Sequence, residues 1–115
     1  DLQDQYALSD GNQGWRLSFP QGFQPYDGGR DEAAIRAQSP ISLARHITAP
    51  TLILTMNQDF RVPASQSYRL YRILKDAGKE VQFYAWPRRG HGPGTPARQR
   101  QVQQLWVDWL KTHLK

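Results

Sequence analysis

The sequence predicts an α/β fold: a β-α-β-α unit whose two strands run parallel. Three observations predict it. Residues 51–56 (TLILTM) are a continuous aliphatic and β-branched run, the pattern of a strand buried on both faces in a parallel sheet. Residues 80–86 (EVQFYAW) form a second run in which apolar positions alternate. Segments of helical period lie at about 63–77 and 96–114, and parallel strands need a crossover of that kind.

The elements follow in order. Residues 1–10 suit a short helix or turn, with Leu2, Tyr6 and Leu8 apolar and Ser9-Asp10-Gly11-Asn12 carrying turn chemistry. Residues 11–30 hold five Gly and two Pro around Trp15, Leu17, Phe19, Phe23 and Tyr26, an irregular loop anchored to a core by its aromatics. DEAAIRAQ (31–38) reads as a short helix with Asp31 and Glu32 at the positive end of its dipole, ended by Ser39-Pro40. ISLARHI is a second helical turn or connector. His46 lies there without a partner nearby in sequence, as a structural or surface histidine.

Pro50 opens the first strand. Pro63 fits the first turn of the following helix, which carries Ala64, Tyr68, Tyr71, Leu74 and Ala77 near one face and stops at Gly78. Pro87 ends the second strand. Thr95 and Pro96 read as N-cap and first position of the last helix. Val102, Leu105, Trp106, Trp109, Leu110 and Leu114 recur there at three- and four-residue steps and are expected core positions, with His113 a capping or surface residue. One pair of strands leaves edges and apolar faces uncovered. The unit therefore reads as the last part of a larger α/β domain, as the lack of an initiating Met also suggests.

Composition bounds the function. The 115 residues contain no Cys, so disulfides and thiolate metal sites are excluded; no metal site or cofactor is expected. No apolar run approaches the roughly 18 residues of a membrane span, and the polar start DLQDQYALSD is not a signal peptide. These features favour the cytoplasm. The formal charge of +5 comes from Arg scattered along the chain, with no aromatic-basic interleaving of an RNA binder. The expectation is a solvated surface and no nucleic-acid partner.

The chemistry gathers on two residues. Asp59 stands just past the first strand and His91 just past the second. The carboxyl ends of parallel strands are where α/β folds place their sites. An Asp-His pair there is an acid that orients a base. Gly90 and Gly92 flank the histidine and let its loop turn sharply. The chain order Ser, Asp, His of an α/β-hydrolase triad fits Asp59 before His91. The nucleophile does not follow. None of the six serines, at 9, 18, 39, 42, 65 and 67, has Gly two residues away on both sides, so a serine upstream of residue 1 is expected.

Taken together, Ser39-Pro40-Ile41, ITAPTLIL (47–54), Asp59 with Arg61-Val62-Pro63, Ser65-Gln66-Ser67, Leu70-Tyr71, Leu74-Lys75, Ala77-Gly78, Val81, Phe83, Pro87 and Gly90-His91-Gly92 resemble the carboxyl end of the prolyl oligopeptidase family. The resemblance is nearer its dipeptidyl-peptidase and acylaminoacyl-peptidase members than generic esterases. It implies the C-terminal portion of an α/β-hydrolase catalytic domain, with loops and short helices over 1–50 and the unit bearing acid and base over 51–115. It implies a serine peptidase acting on peptides, with Asp59 the triad acid and His91 the base. Arg61 and Val62 match positions beside the substrate pocket, and Arg61 is equally readable as a loop-fixing ion pair. The chain's expected partner is the N-terminal remainder of the same protein.

Three departures stand out. Thr55-Met56 replaces the family's usual His-Gly, Asn57 stands where Glu is frequent, and Arg89 replaces the Glu of Pro-x-Glu-Gly-His-Gly. Met56 puts the path of the acid loop in question. Arg88 and Arg89 beside a base oppose a proton arriving there unless they are paired. The competing readings are an esterase on the same machinery and an inactive peptide-binding module.

Overall fold

A computed structural model describes residues 1–11 and 19–114. Trp15 and Leu17 of the expected aromatic anchor lie outside the described residues. The chain begins with helix α1 (Leu2–Leu8), N-capped by Asp1, whose carboxylate accepts the Gln3 N–H at 2.9 Å. The turns that follow pack on this helix. Tyr6 meets the Phe19 and Tyr26 rings edge-on, and Phe19 stacks on Phe23 at 4.7 Å. Helix α2 (Arg30–Gln38) has no cap from its own N-cap residue, Gly29. Asp27 substitutes, accepting from the backbone N–H groups of Gly29 and Glu32. A 3-10 helix (Pro40–His46) forms the connector to the sheet, and His46 on it is exposed.

Strands β1 (Thr51–Gln58) and β2 (Val81–Arg89) pair in parallel, Thr51 opposite Val81 through Met56 opposite Trp86. Helix α3 (Ser65–Asp76) crosses between them and α4 (Pro96–His113) follows. The helices take opposite faces of the sheet. Phe83 meets Tyr68 and Tyr71 of α3 at 4.9 and 5.3 Å. The alternate residues Tyr84 and Trp86 border a groove with Gln101, Gln104 and Leu105 of α4. Ile53, Met56 and Leu74 are buried at the centre, and Ile35 of α2 and Ala44 of the connector are buried as well. The buried run in β1 is the parallel-sheet signature read from the sequence.

Two boundaries move for an evident physical reason. Helix α3 starts at Ser65 rather than Pro63, because residues 60–64 form a turn organised by the Asp59 carboxylate, which takes the N–H groups of Arg61 and Val62. Strand β2 runs through Pro87 to Arg89. After Met56–Trp86 the next pair is Gln58–Arg89, so β2 carries one extra residue. At such a bulge a proline costs no ladder hydrogen bond. Thr95 and Pro96 do open α4, with Thr95 Oγ1 accepting the Arg98 N–H at 3.3 Å, and the helix ends at His113.

The expected core face of α4 needs correcting. Val102 is buried, but Trp106 is 52% exposed, Leu110 49% and Leu114 70%. The amphipathic period is present, and the described residues supply only β1 and the Tyr84–Trp86 side of the sheet to cover it. Among the described residues no helix is long and apolar enough to cross a membrane.

Candidate active site

The site forms where β1 and β2 end together. The ladder closes with the Gly90 N–H donating to the Gln58 carbonyl at 3.3 Å. Gly90 then turns with φ +104°, a conformation that disfavours any side chain, and this turn presents His91. On the neighbouring strand, the Asp59 N–H donates back to Met56 O and the loop folds over its own carboxylate. His91 Nδ1 lies 2.7 Å from Asp59 Oδ2.

The electrostatics are one-sided. Asp59 is nearly covered, its side chain 9% exposed, whereas the His91 ring is 61% exposed. Burial raises the Asp59 carboxyl, but the Val62 N–H, the His91 ring and the Arg61 N–H outweigh it and hold its pKa below the usual aspartate value. An ionised carboxylate can only accept, so Nδ1 carries the proton. In the neutral ring Nε2 then has a free lone pair, and it has no hydrogen-bond partner among the described residues. This arrangement can take a proton at Nε2 and stabilise the resulting charge through Asp59.

A cleft of about 270 Å³ adjoins the pair, bordered by Leu54, Met56, Val62, Ser67, Pro93 and Trp106. Met56, the residue that put the loop path in question, is buried in its wall, and the carboxylate still reaches the ring. A larger groove of about 610 Å³ lies beyond Val62, with Arg61, Leu2, Ile41, Ile47 and Leu70 along it. Val62 thus lies between the two depressions and Arg61 on the larger. Arg61 Nε binds Asp10 Oδ1 at 2.7 Å, and its two Nη groups carry no hydrogen bond among the described residues.

Four of the five described serines are otherwise engaged. The Ser9, Ser39 and Ser42 hydroxyls donate to backbone carbonyls and Ser65 to Asp4. Ser67 borders the cleft without bonding His91. Among the described residues no hydroxyl is hydrogen-bonded to Nε2.

Two supports were not legible in the sequence. The Arg61 carbonyl accepts from Gln5 Nε2 at 2.8 Å and Ser9 Oγ at 2.7 Å, and the Asp10 N–H donates to Phe60 O at 2.7 Å. Helix α1 and its exit therefore brace the acid loop. No local pattern announces contacts across fifty or more positions. The two arginines beside His91 are also committed. Arg88 donates to the Gly92 carbonyl, and the Arg89 guanidinium lies 5.6 Å over the Phe60 ring.

The family model described as the prolyl oligopeptidase family matches residues 15–115. The acylamino-acid-releasing enzyme 1 of Oryza sativa subsp. japonica is 32% identical over 92 residues, 80% of this chain and 12% of that protein. An uncomplexed acylaminoacyl peptidase from Pyrococcus horikoshii superposes with a TM-score of 0.81 at 30% identity, over 97% of this chain and 18% of that one. An acylaminoacyl peptidase in complex with Z-Gly-Gly-Phe-chloromethyl ketone gives 0.80 at 28% identity, over 98% and 18%. The chain thus spans less than a fifth of the proteins it matches.

Proposed function

The chain belongs to the prolyl oligopeptidase family, with the fold of an acylaminoacyl-peptidase-like α/β-hydrolase, and from that premise we propose that it carries the acid and base of a serine peptidase triad. The observation that carries the reading is the 2.7 Å contact between His91 Nδ1 and Asp59 Oδ2, with Nε2 left open. In the intact protein a serine on a segment preceding Asp1 attacks the peptide carbonyl. Its hydroxyl proton passes to His91 Nε2 as the Oγ–C bond forms. The imidazolium then gives that proton to the departing amine, and a water repeats the cycle on the acyl-enzyme. Asp59 holds the tautomer and offsets the charge. Backbone N–H groups outside this chain would hold the oxyanion.

Arg61 and Val62 are assigned to the substrate side of the site. Val62 borders the cleft next to His91, and Arg61 has donors free beside the larger groove. Such donors suit a carbonyl or carboxylate of a bound peptide. The Asp10 pair fixes the stem of Arg61 without using its outer nitrogens.

The test is made on the intact protein. A fluorophosphonate should label it covalently, and His91→Ala should abolish labelling and lower kcat by several orders of magnitude. A kcat loss of less than about tenfold removes His91 from the role. Faster turnover of simple acyl esters than of aminoacyl anilides would favour the esterase, and failure of a folded protein to label at all would favour the inactive binding module.

A further inference from the structure

The histidine loop is fastened from inside by a side chain that the triad does not include. Arg88 sits at the β2 bulge, where the extra residue re-aims the chain. Its guanidinium turns back under the loop. It donates to the carbonyl of Gly92, the residue after His91. It also lies flat against Gly94, at φ +80°, where an added Cβ would overlap the guanidinium. Its Nη1 stands near Gly90 on the other side of the histidine. Arg98, on the first turn of α4, takes the next carbonyl, Pro93 O, at 3.3 Å. The loop from Gly90 to Gly94 is therefore wrapped around one guanidinium, and His91 rides on its crest with a largely exposed ring.

We propose that Arg88 is a positioning residue for His91: it sets the height and tilt of the imidazole over Asp59 by clamping the backbone on both sides of it. This deepens, and rests on, the reading of His91 as the base. The exposed ring has little packing to fix it, so its orientation depends on the Asp59 contact and the loop beneath. Arginine suits the task because its planar fork donates while its face packs on glycine backbone. A lysine could donate but could not fill that surface. The Gly92 carbonyl also fixes where that positive charge sits, beneath the loop backbone.

The experiment compares wild type, Arg88→Ala and Arg88→Lys in the intact protein. Turnover of an aminoacyl anilide is measured alongside hydrogen-deuterium exchange over residues 90–95 and 51–56. Arg88→Ala is expected to lower kcat by about tenfold to a hundredfold with KM little changed, since small misplacements of a reacting group cost that much. Exchange should accelerate over 90–95 and not over 51–56. Arg88→Lys should recover part of kcat, and added guanidinium ion at sub-denaturing concentration should restore part of the Arg88→Ala rate. Turnover within about twofold of wild type despite a loosened loop would overturn the proposal, as would slowed turnover with unaltered exchange over 90–95. Should Arg88→Ala not fold, Arg88→Lys is judged by the same two readouts. Should wild type show neither turnover nor fluorophosphonate labelling, the peptidase reading fails by itself. Exchange over 90–95 then still decides whether Arg88 clamps the loop.

Discussion

His91 Nδ1 meets Asp59 Oδ2 at 2.7 Å across 32 positions of chain. Neither residue belongs to a strand. Each is delivered by the loop that leaves one, and those strands are held in register by a parallel ladder that ends at Gln58 and Gly90. The contact is thus a property of the sheet edge. Anything that slips the register or loosens either loop should reach the pair.

Replacing Asp59 by Asn tests the acid without emptying its place. The amide oxygen can still accept from the Arg61 and Val62 N–H groups. The amide nitrogen facing His91 donates, which puts the ring proton on Nε2 and blocks the base. If the triad reading holds, kcat should fall by about ten-thousandfold with folding retained. Steady-state kinetics and thermal melting of the same preparation check both halves.

The same carboxylate sets an acid limit. Its folded pKa is lowered from 3.8. A depressed acid contributes stability that is present above its unfolded pKa and is lost as pH falls through the lower, folded value. The contribution should therefore persist through mildly acidic solution, begin to fall at about pH 4 and be gone once the pH is below the folded value. Melting temperatures across pH 2–6 should show a steeper acid decline in wild type than in Asp59→Asn.

The brace from α1 gives a prediction at a distance. Gln5 and Ser9 are buried polar residues, 7% and 3% exposed, and both donate to the Arg61 carbonyl. Ser9→Ala alone leaves one donor and should cost about 1 kcal/mol. Gln5→Leu with Ser9→Ala leaves the Arg61 carbonyl without either donor and Gln66 Nε2 without its acceptor, and should cost about 1–3 kcal/mol more. Chemical denaturation measures the cost. A double variant as stable as wild type would show that the carbonyl finds water instead.

What could be read beforehand follows from the range of the forces involved. The buried run of β1, the Thr95-Pro96 start of α4 and the Gly78 stop of α3 are written within a few neighbouring residues, and each stands where expected. Asp59 and His91 could be paired because parallel strands bring their carboxyl ends together whatever lies between. Helix α3 starts two residues later than its period implies because Asp59 captures the two N–H groups that precede it, a competition invisible to helical periodicity. The period of α4 marks an apolar face, yet Trp106, Leu110 and Leu114 on it stand largely exposed. Periodicity records that a face is apolar, not which part of a protein lies on it.

His113 joins the end of α4 to the start of β2. Its Nδ1 faces the Trp109 carbonyl and its Nε2 the Glu80 carboxylate, both at 2.8 Å. Both partners accept, so this geometry calls for a proton on each ring nitrogen. Accordingly Glu80, aided by the Trp109 carbonyl, raises the His113 pKa above 6.5. A raised base contributes stability that is complete below its unfolded pKa and is lost as pH rises through the folded value. Wild type should lose melting temperature on going from pH 6 to pH 8, and Glu80→Gln should flatten that slope. Parallel curves for the two proteins would remove the interaction from the stability of the chain.

Leu74 tests where the core lies. It is fully buried on α3, the helix that touches both strands and the 3-10 connector. Its carbonyl also accepts the Lys79 N–H at 2.9 Å as the chain turns through Gly78 into β2. Truncation removes three carbons from a site whose walls are sheet and helix and cannot easily collapse. Leu74→Ala should therefore cost about 2–5 kcal/mol. Leu43, 62% exposed on the connector, is the control; Leu43→Ala should change stability by no more than about 0.5 kcal/mol. Urea denaturation of the two variants should separate them clearly. Equal costs would mean that the connector face bearing Leu43 is covered in the protein as tested, and that the strands and α3 alone do not define its core.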